Sequence, residues 1–130
     1  MNPSAPTDND LALLAVRVAT ALLDRGLKVA TAESCTGGYL AKLLTDVPGS
    51  SRWFESGYVS YSNMAKQRSL GVAADTLAQH GAVSEQAVLE MAVGALAATG
   101  AHVAVSISGV AGPDGGTAVH PVGEVWLAKA

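Results

Sequence analysis

The stretch "LKVATAESCTGGYLAKLL", Leu27 to Leu44, changes its period part-way along. Leu27 to Glu33 reads as a short buried strand. From Thr36 the pattern turns helical and runs on to Pro48-Gly49, which stops it. A strand, a tight turn of small residues and a helix form the repeating unit of an α/β fold. In open α/β sheets ligands collect at the carboxyl ends of the strands, and the turn sets Glu33, Ser34, Cys35 and Thr36 there. Two readings of the turn stand side by side. Ser34 or Thr36 is an N-cap, a place that favours Ser and Thr in any case. Alternatively, Ser34 is a nucleophile, and the amides of Cys35, Thr36, Gly37 and Gly38 hold an oxyanion or a phosphate. The cap is the simpler reading of the turn alone. Two glycines in a first helical turn cost roughly 1 kcal/mol each relative to Ala, and close approach of backbone to a ligand would account for that cost.

Outward from this unit the alternation continues. Leu11 to Gly26 is helical: Leu11, Leu14, Val18 and Leu22 share a face, Asp8 to Asp10 can cap it and Gly26 ends it. Ser56 to Tyr61 alternates and is aromatic and β-branched, which predicts a strand. Ser62 to Gly71 reads as a short helix with Ser62 or Asn63 as cap, and Ala73 to Gly81 as another helical turn. Ser84 to Gly100 is a long helix with Ser84 as cap and Glu85 in a favourable first turn. His102 to Ser108 is a near-continuous apolar strand, Gly109 to Gly123 a long Gly/Pro loop, and Glu124 to Ala130 a final strand. The fold class expected is α/β: a single-domain layered sandwich with helices packed on a central β-sheet. Residues 1–10 read as a loose polar tail and 11–130 as the domain.

Composition narrows the function. The chain has 130 residues, 49% hydrophobic and 15% charged, a globular balance with one core. Aromatics are 5%, so that core must be built mainly from Ala, Val and Leu. A formal charge of −3 without a basic cluster weighs against duplex nucleic acid as a partner. No segment approaches the roughly 18 apolar residues of a membrane span. One cysteine, no internal disulfide and no signal-peptide pattern suggest the cytoplasm.

Two further segments carry chemistry. In "YVSYSNMAK", Tyr61, Asn63 and Lys66 follow a strand. A serine nucleophile needs a base, and none of the three histidines has a recognisable spacing. A lysine can serve if burial lowers its pKa from about 10.4, although spacing alone favours a solvated lysine on a surface helix. In "SISGVAGPDGG", a buried strand ends at Ser108, which is expected to face Ser34 across a cleft, and runs into Gly109, Gly112, Pro113, Gly115 and Gly116. This is neither a P-loop nor a dinucleotide fingerprint. It is an ordinary long turn or a loop that approaches sugar or phosphate. Cys35 is a rival nucleophile, since a helix N-terminus lowers a thiol pKa. No cluster has metal-ligand spacing, and no metal or other cofactor is expected.

Taken in order, "AESCTGG", "GSS..F..GYVSYSN..K...LGV", "HGAVSE" and "SGVAGPDGG...PVGEVWLA" resemble the CinA carboxyl-terminal domain family, the nicotinamide-nucleotide amidohydrolases. The resemblance covers nearly the whole chain after the polar tail. It implies hydrolysis of the carboxamide of nicotinamide mononucleotide (NMN) to nicotinic acid mononucleotide and ammonia, a step of pyridine nucleotide recycling. It implies Ser34 as nucleophile, Lys66 as base and Tyr61 assisting. Cys35, Thr36, Gly37, Gly38, Asn63, Ser108, Gly109, Gly112 and Pro113 would then line the substrate. Ser108 stands where the family has Thr. Family members usually continue past "PVGEVWLA" with a strand and a closing helix, so those two elements are expected to be missing, and a homo-oligomer is expected. The alternatives are a non-catalytic nucleotide-binding or regulatory module that keeps the pocket, and a Cys35 thiol enzyme.

Overall fold

A computed structural model describes residues 4–130; the part of the expected tail at residues 1–3 lies outside them. The first helix, α1 (Asp8–Arg25), starts earlier than the apolar periodicity. Its cap is Thr7, not Asp8 to Asp10: Thr7 Oγ1 accepts from the Asp10 amide, and the Asp10 carboxylate accepts in turn from the Thr7 amide. This reciprocal capping box satisfies two orphan donors at once.

Strand β1 (Val29–Glu33) is buried at every position. Helix α2 (Tyr39–Thr45) is much shorter than the sequence pattern implied. The reason is local: Gly37 and Gly38 both take positive φ, so residues 34–38 form a turn instead of a first helical turn. A single 3-10 turn (Ser50–Arg52) leads to β2 (Phe54–Val59), which starts and ends two residues before the expected strand. Helix α3 (Asn63–Leu70) is capped by Ser62, and α4 (Ala74–His80) follows. Helix α5 (Glu85–Thr99) is capped by Ser84 and ends at a left-handed Gly100. The chain closes with β3 (Val103–Gly109) and β4 (Val125–Lys129).

The four strands lie in the order β2-β1-β3-β4. β1 runs parallel to both β2 and β3, and β4 is antiparallel to β3. The carboxyl ends of β1, β2 and β3 therefore share one edge. Ala30, Ala32 and Ala104 on one sheet face pack against Val88, Met91, Ala92 and Ala95 of α5. On the other face Val29 and Trp53 pack under Ala15, Ala19 and Leu22 of α1 and Leu44 of α2. The mainly small residues of the α5 face let the layers approach closely. At Gly94 of α5 an added Cβ would collide with the Leu70 carbonyl of α3. No described helix is long and apolar enough to cross a membrane.

Candidate active site

The shared edge gathers three serines. Glu33 pairs with Val59 on one side and Ile107 on the other. The next residues, Ser60, Ser34 and Ser108, therefore stand side by side at the ends of β2, β1 and β3. Ser34 donates its amide to the Ile107 carbonyl at 3.0 Å, and Ser60 donates its amide to the Glu33 carbonyl at 2.9 Å. All three serines are buried.

Lys66 enters this row from α3. It is not the solvated surface lysine that spacing favoured, since only 1% of it is exposed. Lys66 and Leu70, one helical turn apart, are the two buried residues of α3, so Lys66 rides the face that packs inward. Its Nζ lies 2.9 Å from Ser34 Oγ, 2.9 Å from the Ser60 carbonyl and 3.1 Å from the Tyr61 carbonyl. Three partners suit either protonation state. An ammonium donates three bonds. A neutral amine donates two to the carbonyls and takes the Ser34 proton with its lone pair. Burial pushes Lys66 below its ordinary value near 10.5; Cys35 opposes this only when its thiol is ionised.

Tyr61 meets Lys66 through its main chain. Its ring is 67% exposed, and no side-chain hydrogen bond ties it to Lys66 or Ser34. The contact between Tyr61 and Lys66 is made by the Tyr61 carbonyl, which accepts from the Lys66 amine. Ser60, which the sequence reading passed over, does the same. The signal for it was its place just past the end of a strand parallel to β1.

Glu33, left without a role by the sequence, organises the turn. Its fully buried carboxylate accepts from Thr36 Oγ1 at 2.6 Å and the amides of Leu40 and Ala41 at 2.9 and 3.0 Å. A carboxylate at a helix start meets the positive end of the helix dipole and its orphan amides. So the cap of α2 is Glu33, and Ser34 is released from that duty.

This changes which amides remain for an oxyanion. Gly37 donates to the Ser34 carbonyl and Tyr39 to the Thr36 carbonyl. Among the described residues the amides of Cys35, Thr36 and Gly38 have no such partner. The Cys35 thiol, partly buried, departs from expectation: burial pushes it above its ordinary value near 9.0, and Glu33 adds to the rise. Its own amide, Lys66 and the Thr36 amide pull it back only in part.

The glycine-rich loop has an internal reason for its glycines. A Cβ on Gly109 would meet the Glu124 carbonyl at 2.7 Å, because β4 packs against that point. Cβ atoms on Gly112 and Gly116 would press into Val122. Pro113 and the Asn63 side chain are exposed, and neither makes a hydrogen bond to Ser34 or Lys66. Among the described residues no group of three or more His, Cys, Asp or Glu is placed to hold a metal ion.

The chain's relatives share this architecture. Residues 11–130 match the model of the CinA C-terminal domain. The chain is 60% identical over 124 residues to nicotinamide-nucleotide amidohydrolase PncC of Escherichia coli, covering 95% of this chain and 75% of that protein. It is 56% identical over 115 residues to the PncC of Pseudomonas putida, covering 88% and 72%. The crystal structure of competence/damage inducible protein CihA from Agrobacterium tumefaciens superposes with a TM-score of 0.91 at 48% identity, over 98% of this chain and 76% of that one. The chain belongs to the CinA C-terminal domain family.

Proposed function

We propose that this chain is an amidohydrolase that converts NMN to nicotinic acid mononucleotide and ammonia, with residues 11–130 as its catalytic domain. The observation that carries the chemistry is the 2.9 Å contact between a buried Lys66 Nζ and Ser34 Oγ. The substrate follows from the names of the amidohydrolase relatives.

The reaction runs in two halves. Neutral Lys66 takes the Ser34 proton as Oγ attacks the carboxamide carbon. The C=O π bond opens to an oxyanion, for which the amides of Cys35, Thr36 and Gly38, without a carbonyl partner, are the candidate donors. Losing one such donor typically slows a reaction by about 100-fold or more. Lys66 then protonates the leaving nitrogen, the C–N bond breaks, and ammonia departs from an ester on Ser34. Water, deprotonated by Lys66, cleaves the ester and restores Ser34. The Ser60 and Tyr61 carbonyls favour the ammonium, while burial opposes it, so the proton moves back and forth without rearrangement of the amine. Ser108 lies beside Ser34 as a substrate-side hydroxyl. Recycling of pyridine nucleotides in the cytoplasm is the setting that suits this reaction. Self-association is part of the proposal: Val125 and Leu127 stand exposed on the sheet face away from α5, where a second copy can cover them.

The test is ammonia release from NMN by the chain and by Ser34→Ala. Release by the chain and background rates in the variant are expected. Wild-type rates in Ser34→Ala would remove the nucleophile. NMN binding without turnover would favour a non-catalytic binding module.

A further inference from the structure

The row of serines has a fourth member. Ser108 pairs directly with Trp126 of β4, so the row across the sheet edge runs Ser60, Ser34, Ser108, Trp126. Directly paired residues project to the same face. Ser106 bonds the Val88 carbonyl of α5, and Ala128 and Ala130 pack on the α5 cluster. Alternation therefore puts Ser108 and Trp126 on the α5 side, the side from which Lys66 of α3 reaches Ser34. Trp126 is 37% exposed, enough to present part of its surface to a ligand.

Trp126 is also held. Its Nε1 donates to Glu124 Oε1 at 2.8 Å, and His120 Nδ1 lies 3.1 Å from Glu124 Oε2. These bonds from Trp126 and His120 keep the Glu124 carboxyl below the usual carboxylate range. An aromatic ring backed by a carboxylate is a recognition element for a cation: the ring face and the carboxylate both attract positive charge.

The spacing fits. Neighbouring strands lie about 4.8 Å apart, so Trp126 stands roughly 10 Å from Ser34. A reacting carbonyl carbon sits about 3 Å from its nucleophile, and a cation binds within about 6 Å of an indole centre. A carboxamide on a six-membered ring spans the remainder, lying over Ser108. We infer that Trp126, backed by Glu124, is the wall that receives the substrate's cationic pyridinium ring. A positive ring charge is thus a specificity determinant of this site. The inference rests on the amidohydrolase reading for its substrate and goes beyond it in naming what selects the ring.

Tryptophan emission reads this directly, because the chain has only two tryptophans and Trp53 is fully buried against α1 on the opposite face. The probes are NMN, 1-methylnicotinamide (a cationic ring without the phosphate) and ribose 5-phosphate (the phosphate without the ring). Quenching by the first two and none by the third is expected, with Trp126→Phe abolishing it and leaving Trp53 emission in place. In kinetics, Trp126→Leu should raise KM for NMN about tenfold, with kcat within about threefold. Glu124→Gln, which keeps the bonds to Trp126 and His120 but loses the charge, should raise KM by a smaller factor. Quenching that persists in Trp126→Phe, no quenching by either cationic ring, or an unchanged KM in Trp126→Leu overturns the inference. If the wild-type chain releases no ammonia, the amidohydrolase reading falls, and the quenching series alone decides for or against the ring wall.

Discussion

Replacing Glu33 with Ala should destabilise the fold more than its place at the last position of β1 suggests. The carboxylate is fully buried and bonded by Thr36 Oγ1 and by the amides of Leu40 and Ala41. Hydrogen bonds to a charged group contribute about 1.5–3 kcal/mol each, and an unsatisfied buried donor costs about 1–3 kcal/mol. In Glu33→Ala the Thr36 hydroxyl can rotate toward another acceptor. The Leu40 and Ala41 amides are only partly buried, so water recovers a share of their loss. The expected net cost is about 3 kcal/mol, between a lost helix cap at about 1 kcal/mol and three full charged bonds. For a chain of this length that corresponds to a Tm lower by about 10 °C. Urea unfolding is the assay: the midpoint should fall with an unchanged slope, since the surface exposed on unfolding is nearly the same. Glu33→Gln should lose about half as much. It keeps one carbonyl oxygen for Thr36 and Leu40 but turns an NH2 toward the Ala41 amide. A loss below about 0.5 kcal/mol in Glu33→Ala would refute Glu33 as the cap of α2.

Four other outcomes follow from the packing and the charges. Lys66→Met should abolish turnover while the fold persists, checked by ammonia release and circular dichroism; residual activity near wild type would exclude Lys66 as base. The rate should rise with pH as Lys66 loses its proton, with a midpoint below the ordinary 10.5 because burial lowers it. The same shift has a stability sign: between the folded and ordinary pKa the unfolded chain holds more protons, so Lys66 makes stability rise with pH across that window, measurable by urea midpoints. Gly94→Ala, normally a gain in a helix interior, should instead cost about 1–3 kcal/mol in thermal melts, since the added methyl meets the Leu70 carbonyl.

The alternation of helices and strands was legible because each element carries its own punctuation. Ser62, Ser84, Gly71 and Gly100 cap and stop α3 and α5 where the sequence placed them. The end of β1 at Glu33 was legible for the same reason. What was not legible depends on long-range contact. The start of α2 is delayed by the positive φ of Gly37 and Gly38 and capped by Glu33 reaching seven and eight residues ahead, a spacing with no local motif. Lys66 looked solvated because a four-residue helical repeat with Leu70 does not say which face is covered. The glycines of the 109–116 segment left a ligand loop and an ordinary long turn both open, and the crowding at three of them, from Glu124, Val125 and Val122, was not readable from the loop itself. Trp126 passed as a strand residue because its neighbour in space, Ser108, is 18 positions earlier and joined to it only by strand register.

The most direct test of a serine nucleophile is the mass of the protein in a rapidly quenched reaction with saturating NMN. The expected result is a transient ester adduct that digestion maps to Ser34 and that is absent from Ser34→Ala. An adduct mapping to Cys35, or turnover in Ser34→Ala at the wild-type rate, would contradict the account.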